Sequence, residues 1–366
     1  MLTNLRIENF KPIKQMEVEL TNLNLLLGLN GMGKSSLIQS LLLLRQSSDL
    51  SDGVFELNGD LAKIGVGRDA MYQFNDTSES INISLKEHSV DQEFSWKFKY
   101  ASDAEILETE DIYTRDTLDE LSLFNDNFNY LSAERIPPTD GHIISTREVI
   151  NSHQVGVRGE YTIHFLNVFG DIDVDSDLVH KDAKSSSLLH QVDAWLSEIS
   201  PGTRLKTFNV PSLELIRMGM EFETDSDVTN VFKPKNVGFG LSYALPVITA
   251  LLSAKKGALV VIENPESHIH PKGQAQLGML IAKVASLGVQ LLIETHSDHV
   301  VNGIRVATKN EYIDYSKVRL NFFDKVNKDF EQYSVNNVIK LDSNGELSDY
   351  PEHLLDEWNN QLLKLV

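Results

Sequence analysis

The chain has 366 residues, 41% of them hydrophobic, enough to bury one large core or two smaller ones at about 150 residues per domain. Its 33 basic and 53 acidic side chains leave a net charge of −20, which excludes coating of nucleic acid by bulk electrostatics and leaves DNA only a local basic strip. With no cysteine, disulfides, thiolate zinc sites and cysteine nucleophiles are excluded as well.

The first residues carry charge at Arg6, Glu8 and Lys11 and show no apolar signal core. Residues 2–27 are expected to form two strands: Leu5 to Phe10 alternates apolar and polar side chains, and Leu23 to Leu27 ends in a continuous apolar run. From Ser35 to Gln46 the spacing turns helical, with Leu37, Ile38, Leu41, Leu42 and Leu44 on one broad face. Residues 50–235 read as mixed and strand-rich, with no internal repeat. Between Asp103 and Asp126 nine acidic residues stand against one basic residue, Arg115, a local net charge of −8. A solvated surface insertion and an acidic docking surface for a basic partner both fit that run. Asp171, Asp173, Asp175 and Asp177 alternate as calcium ligands do. The sixth position is Ser176 where Gly is needed, and the twelfth is Asp182 where Glu is needed, so a solvent-facing loop or edge strand is expected.

The last third is patterned more clearly. A helix over Ser242–Ala254 precedes a strand over Ala258–Ile262. A helix from about Gly273 to Ala285 and a second buried strand over Val289–Ile293 follow. Strands alternating with helices at this spacing indicate an α/β fold with a parallel sheet. The most apolar stretch, Leu241 to Ala254, contains Pro246 and runs into Lys255 and Lys256, too short and interrupted to span a bilayer. A cytoplasmic protein with no membrane partner is expected.

Gly28-Leu-Asn30-Gly31-Met-Gly33-Lys34-Ser35 fits the G-x-x-x-x-G-K-[ST] pattern. Its glycines let backbone N–H groups turn inward around phosphate oxygens, and the helix that follows adds its positive N-terminal end. Lys34 is expected to reach the β and γ phosphates and Ser35 to ligate magnesium. The motif follows a predicted buried strand and opens a predicted helix, the context that gives it meaning. Farther on, Ile262 ends an apolar strand and Glu263-Asn264-Pro265-Glu266-Ser267-His268-Ile269-His270-Pro271 follows. A carboxylate at such a strand tip normally holds the magnesium ion. The next buried strand ends in Glu294-Thr295-His296-Ser297, where a histidine can hydrogen-bond a γ-phosphate or the attacking water.

On these residues the chain resembles the ABC-type ATPases of the RecF/SMC/OLD group. They share a start like Ile7-Glu-Asn-Phe10, a loop like Gly28 to Ser36, an acidic motif like 262–271 and a switch like Thr295-His296-Ser297. Stand-alone bacterial members share a segment like Ser132-Ala-Glu-Arg-Ile-Pro137 and a C-terminal stretch like Leu341-Asp-Ser-Asn-Gly345 through Tyr350-Pro351. The motifs bracket residues 4–351. The resemblance implies a P-loop NTPase fold, an ABC-type ATPase head with a mixed sheet, accessory antiparallel strands and a helical insert. It implies one ATPase domain over 1–366. Lobe I spans about 1–130, an insert about 131–240, lobe II about 241–312 and a C-terminal tail 313–366. ATP and Mg2+ are the implied cofactors, with nucleotide on Gly28, Asn30, Gly31, Gly33, Lys34, Ser35 and Ser36 and metal on Ser35 and Glu263. The group's signature motif, which one protomer presents to the other's nucleotide, falls on Gly238-Phe-Gly240-Leu-Ser242. There Ser242 at a helix N-terminus is an anion site; an ordinary glycine turn with a serine cap is the plainer alternative. A head-to-tail homodimer with two sandwiched ATP molecules follows from the resemblance.

The acidic motif departs from the family at two positions. Aligned on Pro265 and His270, Glu263 takes the place of the magnesium-holding Asp, and Asn264 that of the catalytic Glu. An amide cannot accept a proton at neutral pH. Hydrolysis is therefore expected to be slow, with Glu266 or Glu294 substituting as base, or His296 orienting the water alone. His268, His270, His296 and His299 lack a good zinc spacing and suit loop-anchoring hydrogen bonds. Arg135 is expected either on phosphate or a partner subunit, or in a surface ion pair with Glu134. Gln73 is a candidate γ-phosphate sensor.

These readings combine into a slowly hydrolysing, nucleotide-gated homodimer in DNA maintenance or antiphage defence. A non-hydrolysing scaffold that dimerises on ATP and recruits or restrains a separate effector is the alternative, and a small-molecule P-loop kinase a weaker one. No sustained heptads predict an SMC-type coiled-coil arm. Only about 55 residues follow Asn310, so no OLD-type nuclease domain is expected and any cleavage needs a partner such as a nuclease.

Overall fold

The alternation seen from Leu5 to Phe10 extends back to Leu2 and builds β1 (Leu2–Phe10). The computed structural model describes all residues except Ser48, 75–78, Asp91 and Val366. They form two units: Met1–Phe128 with Ser316–Leu341 and Leu347–Val366, and Asn129–Tyr315 with Asp342–Glu346.

In unit 1 the first 27 residues hold three strands where two were expected. Between β1 and β3 (Leu23–Leu27) lies β2 (Ile13–Glu19), whose signal is the buried Ile13, Met16 and Val18 among charged neighbours. It folds back on β1 in antiparallel register, Ile7 opposite Met16, through a turn in which Lys11 takes φ 52°. Helix α1 (Lys34–Gln46) follows β3 and is succeeded by β4 (Val54–Glu56), a short α2 (Gly67–Ala70), β5 (Ser80–Glu87), β6 (Glu93–Lys99) and β7 (Ile106–Glu108). These strands make an antiparallel sheet in the order β2-β1-β5-β6-β7-β4. Strict alternation in β6 puts Phe94, Trp96 and Phe98 on one buried face, each such ring contributing about 1.5–3 kcal/mol by leaving water. Phe98 stacks on Phe55 at 3.8 Å.

The acidic run 103–126 is built into this unit. It supplies β7 and α3 (Arg115–Asp119), buries Leu107, Leu118, Leu121 and Leu123, and turns carboxylates outward, with Glu110 paired to Lys99 and Asp103 to Arg68.

Unit 2 opens within β8 (Phe128–Leu131), from its second residue on, and continues with β9 (Gly141–Ile143), α4 (Thr162–Phe169) and α5 (Leu188–Ile199). β10 (Thr203–Val210), β11 (Leu215–Phe222) and β9 form a separate antiparallel sheet in the order β10-β11-β9. Helix α6 (Phe239–Ser253) begins three residues ahead of the predicted start. It is apolar on all sides and buried along most of its length, as such a helix must be. β12 (Leu259–Glu263), α7 (Pro271–Ser286) and β13 (Gln290–Glu294) form a parallel β-α-β unit, with β8 on the other side of β12. Helix α8 (Asp298–Lys309) follows; its apolar positions Val300, Val301, Ile304 and Ala307 are buried.

The chain then returns to unit 1. β14 (Val318–Lys328) and β15 (Glu331–Lys340), in the stretch expected as a tail, are its longest hairpin, and β14 runs parallel to β3 with Leu320 opposite Leu25 and Phe322 opposite Leu27. Among the described residues no helix is long and apolar enough to cross a membrane.

Candidate nucleotide-binding elements

The phosphate-loop motif lies wholly in unit 1. β3 is buried along its length and stops at Leu27. Gly28 then takes φ 123° with its Cα facing β14, where a Cβ would meet the Phe323 carbonyl oxygen at 2.3 Å. Gly33 takes φ 108° as the N-cap of α1, where a Cβ would lie 2.6 Å from Ser334 Oγ. The hairpin expected as a tail therefore sets the loop's shape from behind, at two places where only glycine fits. Lys34 is buried, and its ammonium donates to the Gly28 and Leu29 carbonyls at 2.9 Å each, which holds the charge inside the loop. Asn30, Gly31 and Ser35 are exposed, while Ser36 is buried under the first turn. α1 has no acidic residue in that turn and no side-chain cap. The combination of left-handed glycines, an ammonium and a helix N-terminus can hold an anion such as a chain of phosphates. Gln73 belongs to the same unit, in an exposed turn just before the undescribed 75–78.

The acidic motif lies wholly in unit 2. Glu263 ends β12 directly opposite Glu294, the last residue of β13, so the carboxyl ends of two parallel strands bring the predicted residues together. The Glu263 carboxylate accepts from the Tyr130 hydroxyl and from the Ala133 N–H, both at 3.1 Å. Burial, reinforced by the negative Glu263, pushes the Tyr130 phenol well above its usual range, so it stays a donor. These contacts use one acceptor direction on each oxygen and leave the rest for a hard cation.

Arg135 is not in a surface pair with Glu134. Glu134 pairs with Arg158 at 2.9 Å instead. Arg135 is only 2% exposed, and its guanidinium donates to the main-chain carbonyls of Glu263 at 2.7 Å and Asn264 at 3.0 Å. Burial pulls it down to about 10, opposed by the nearby Glu266 and Glu263, so it remains charged at neutral pH. The physical reason for the correction is that a turn after a strand tip leaves carbonyls without ladder partners, and a buried fork of donors satisfies two of them. Nothing in the spacing of Ser132 to Pro137 shows this.

Asn264 takes φ 44°, the left-handed region, and its N–H donates to the Glu294 carbonyl at 2.8 Å. Asn is among the few non-glycine residues that tolerate this conformation. Its Oδ1 is buried without a hydrogen-bond partner among the described residues. Glu266 accepts the His296 N–H at 2.8 Å through Oε1, while Oε2 is buried with no hydrogen-bond partner among the described residues. That bond joins the acidic loop to the Thr295-His296-Ser297 segment, whose Ser297 caps α8 by accepting from the N–H groups of His299 and Val300. The His296 side chain itself is exposed. His270 caps α7 through Lys272 N–H, and the His268 ring packs on Tyr243 at 4.7 Å.

The signature segment needs a correction. Gly238, not Ser242, is the N-cap of α6, so Gly240 falls in the first turn and Ser242 in the second. Gly238 supplies the extended cap conformation itself, and the run from Phe239 onward is apolar enough to continue the helix. Ser242 Oγ is buried without a partner among the described residues rather than capping amides. Gly240 has a packing role: a Cβ there would meet the His268 carbonyl oxygen at 2.4 Å, whereas one at Gly238 would meet nothing within 4 Å. Gly240→Ala should therefore cost about 1–3 kcal/mol in urea unfolding, and Gly238→Ala only the smaller penalty of an alanine N-cap, about 0.5–1 kcal/mol. Equal midpoints for the two variants would contradict this packing.

The chain's comparisons agree with this picture. The family described as "AAA domain, putative AbiEii toxin, Type IV TA system" matches residues 23–302, and one described as "Protein of unknown function (DUF3696)" matches 313–365. No curated protein matches. Among solved structures, the chain is similar to an SmcHead bound to the C-winged helix domain of ScpA, at 12% identity over 93% of this chain and 98% of that one, with a TM-score of 0.57. It is also similar to an Smc head domain with an extended coiled coil bound to the C-terminal domain of ScpA derived from Pyrococcus furiosus. That match has 11% identity over 100% and 99% of the two chains and a TM-score of 0.53. At such identities the likeness is one of fold, and that fold is the expected one.

Proposed function

Because the chain belongs to the AAA-domain family of the AbiEii type, and with it to the ABC-type ATPases of the RecF/SMC/OLD group, we propose that it is a slow, nucleotide-gated ATPase. The observation that carries slowness is Asn264, an amide held in the left-handed region at the tip of an acidic strand where relatives place a base. In this reading the loop from Gly28 to Ser36 takes the phosphates of ATP, with Lys34 as the counter-charge. Ser35 and Glu263 would each offer Mg2+ a hard oxygen donor, and the ion would neutralise charge on the phosphates. Arg135 and Tyr130 orient Glu263, and Glu266 holds the His296 segment through its main chain. With Asn264 unable to accept a proton, Glu266, Glu294 and His296 are the groups left to orient water.

The reading includes a head-to-tail homodimer in which Gly238, Gly240 and the first turn of α6 address the second copy's nucleotide. DNA maintenance or antiphage defence is the setting the family suggests. The solved Smc heads are bound to ScpA domains, which favours a protein partner here too. Asn264 equally favours a second reading, in which ATP only locks the dimer and an effector, such as a nuclease, does the work.

Steady-state phosphate release from saturating Mg-ATP, with Lys34→Ala as the blank, tests both. Slow release above the blank, with Mg-ATP shifting the chain to dimer in sedimentation velocity, is the expected result. Release equal to the blank with ATP still bound selects the scaffold; ADP formation that needs an added acceptor, with no matching free phosphate, selects a kinase.

A further inference from the structure

Helix α6 carries the signature segment at its first turn, and its last turn helps to line a cavity that the ATPase reading leaves unused. The cavity holds about 320 Å³, room for one aromatic side chain. Its floor is apolar: Phe165, Phe169, Leu188 and Leu252 line it, and the His153 ring lies on Phe169 at 4.9 Å and 18°. Its rim is acidic. Asp173 and Asp175 line the mouth, and Asp171 and Asp177 stand exposed on the same segment. The carbonyl end of α6 adds partial negative charge, and among the described residues Lys255 is the one lysine or arginine on the lining. Beside the mouth Ile172 is 58% exposed.

The rim is also held in place. Leu188 N–H donates to the Ile172 carbonyl at 2.8 Å and Val174 N–H to the Ser186 carbonyl at 2.9 Å, while Ser186 Oγ donates to Asp173 at 2.6 Å. A preformed apolar hole under a fixed ring of carboxylates selects its occupant by charge. A second copy of this chain, at −20, and any nucleic acid or anionic membrane meet repulsion at this rim. We propose that this cavity docks a basic segment of a partner protein, with one aromatic or aliphatic side chain entering the hole and flanking Lys or Arg lying over Asp173 and Asp175. Neither ATP nor the roles given to Lys34 or Asn264 enter this inference, so its failure and theirs are separable.

The test uses the whole chain and a fluorescein-labelled peptide, Arg-Lys-Phe-Leu-Lys-Arg, followed by anisotropy at about 0.15 M salt, where long-range attraction is screened. Saturable binding is expected. Replacing Phe and Leu of the peptide by Gly should weaken it at least tenfold. The double variant Asp173→Asn with Asp175→Asn keeps the acceptors for Ser186 and the Asp177 N–H, and should weaken binding at least fivefold with phosphate release and urea midpoint unchanged. Absence of saturable binding overturns the proposal. So does equal affinity for the glycine peptide, or binding indifferent to the double variant, since either would be attraction to an acidic protein at large. Self-association of the wild type that the double variant abolishes would assign this face to a second copy and overturn it too.

Discussion

Asn264→Glu should speed phosphate release by about 10²-fold or more, the scale on which a positioned general base acts. The new carboxylate would reach one methylene beyond Asn264 Oδ1, an atom now buried without a hydrogen-bond partner among the described residues, and desolvation there would raise its basicity. The gain has a conformational cost. Position 264 has φ 44°, which Asn accepts and Glu resists by about 1–2 kcal/mol, so a modest loss in thermal stability should accompany the faster rate. Asn264→Gln separates the two effects: it has the length and backbone preference of Glu with no base, and should lose stability without gaining rate. A folded Asn264→Glu enzyme no faster than wild type would show that the base is not what limits turnover. Attention would then pass to Glu266, Glu294 and His296.

Arg135→Met should cost about 3–5 kcal/mol in urea unfolding. Methionine fills much of the volume but leaves the Glu263 and Asn264 carbonyls without their donors, and it removes a buried positive charge that faces Glu263 and Glu266. The loss should be felt at the strand ends first: amide exchange over Gln290–Glu294 and at Asn264, whose N–H is bonded to the Glu294 carbonyl, should quicken more than that in β1 or β5 of unit 1. Arg135→Lys should recover part of this, since one ammonium can serve one carbonyl but cannot form the fork. A midpoint unchanged in Arg135→Met would mean that the strand tip is held by Tyr130 and its ladder alone.

Much of this protein is legible without coordinates, for a definite reason. Motifs whose chemistry depends on contiguous residues report themselves: the glycines, Lys34 and Ser35 of the phosphate loop must be neighbours in sequence to be neighbours around a phosphate. Buried parallel strands are equally plain, because both faces are covered and the residues run apolar without a break, as in Leu25–Leu27, Leu259–Ile262 and Leu291–Ile293. Amphipathic or wholly apolar helices such as α1 and α6 follow from the same logic of period and burial.

What tertiary structure decided lies where partners are distant in the chain. β14 and β15 are half-exposed and polar along one face, so their alternation is weak in sequence, and only folding shows them packed against Gly28 and Gly33. The role of Arg135 depends on two carbonyls about 130 positions away, and no spacing rule reaches that far. The start of α6 at Phe239 leaves no mark in the sequence, because its glycine cap, Gly238, has no side-chain signal, and the place of Ser242 is hidden with it. The left-handed backbone at Asn264 is likewise invisible in one letter, yet it gives that amide a conformational reason to be there beside its chemical one. Sequence named the groups that can do chemistry; the fold determined which of them brace, which pack and which remain to act, because bracing and packing are properties of pairs that only three dimensions bring together.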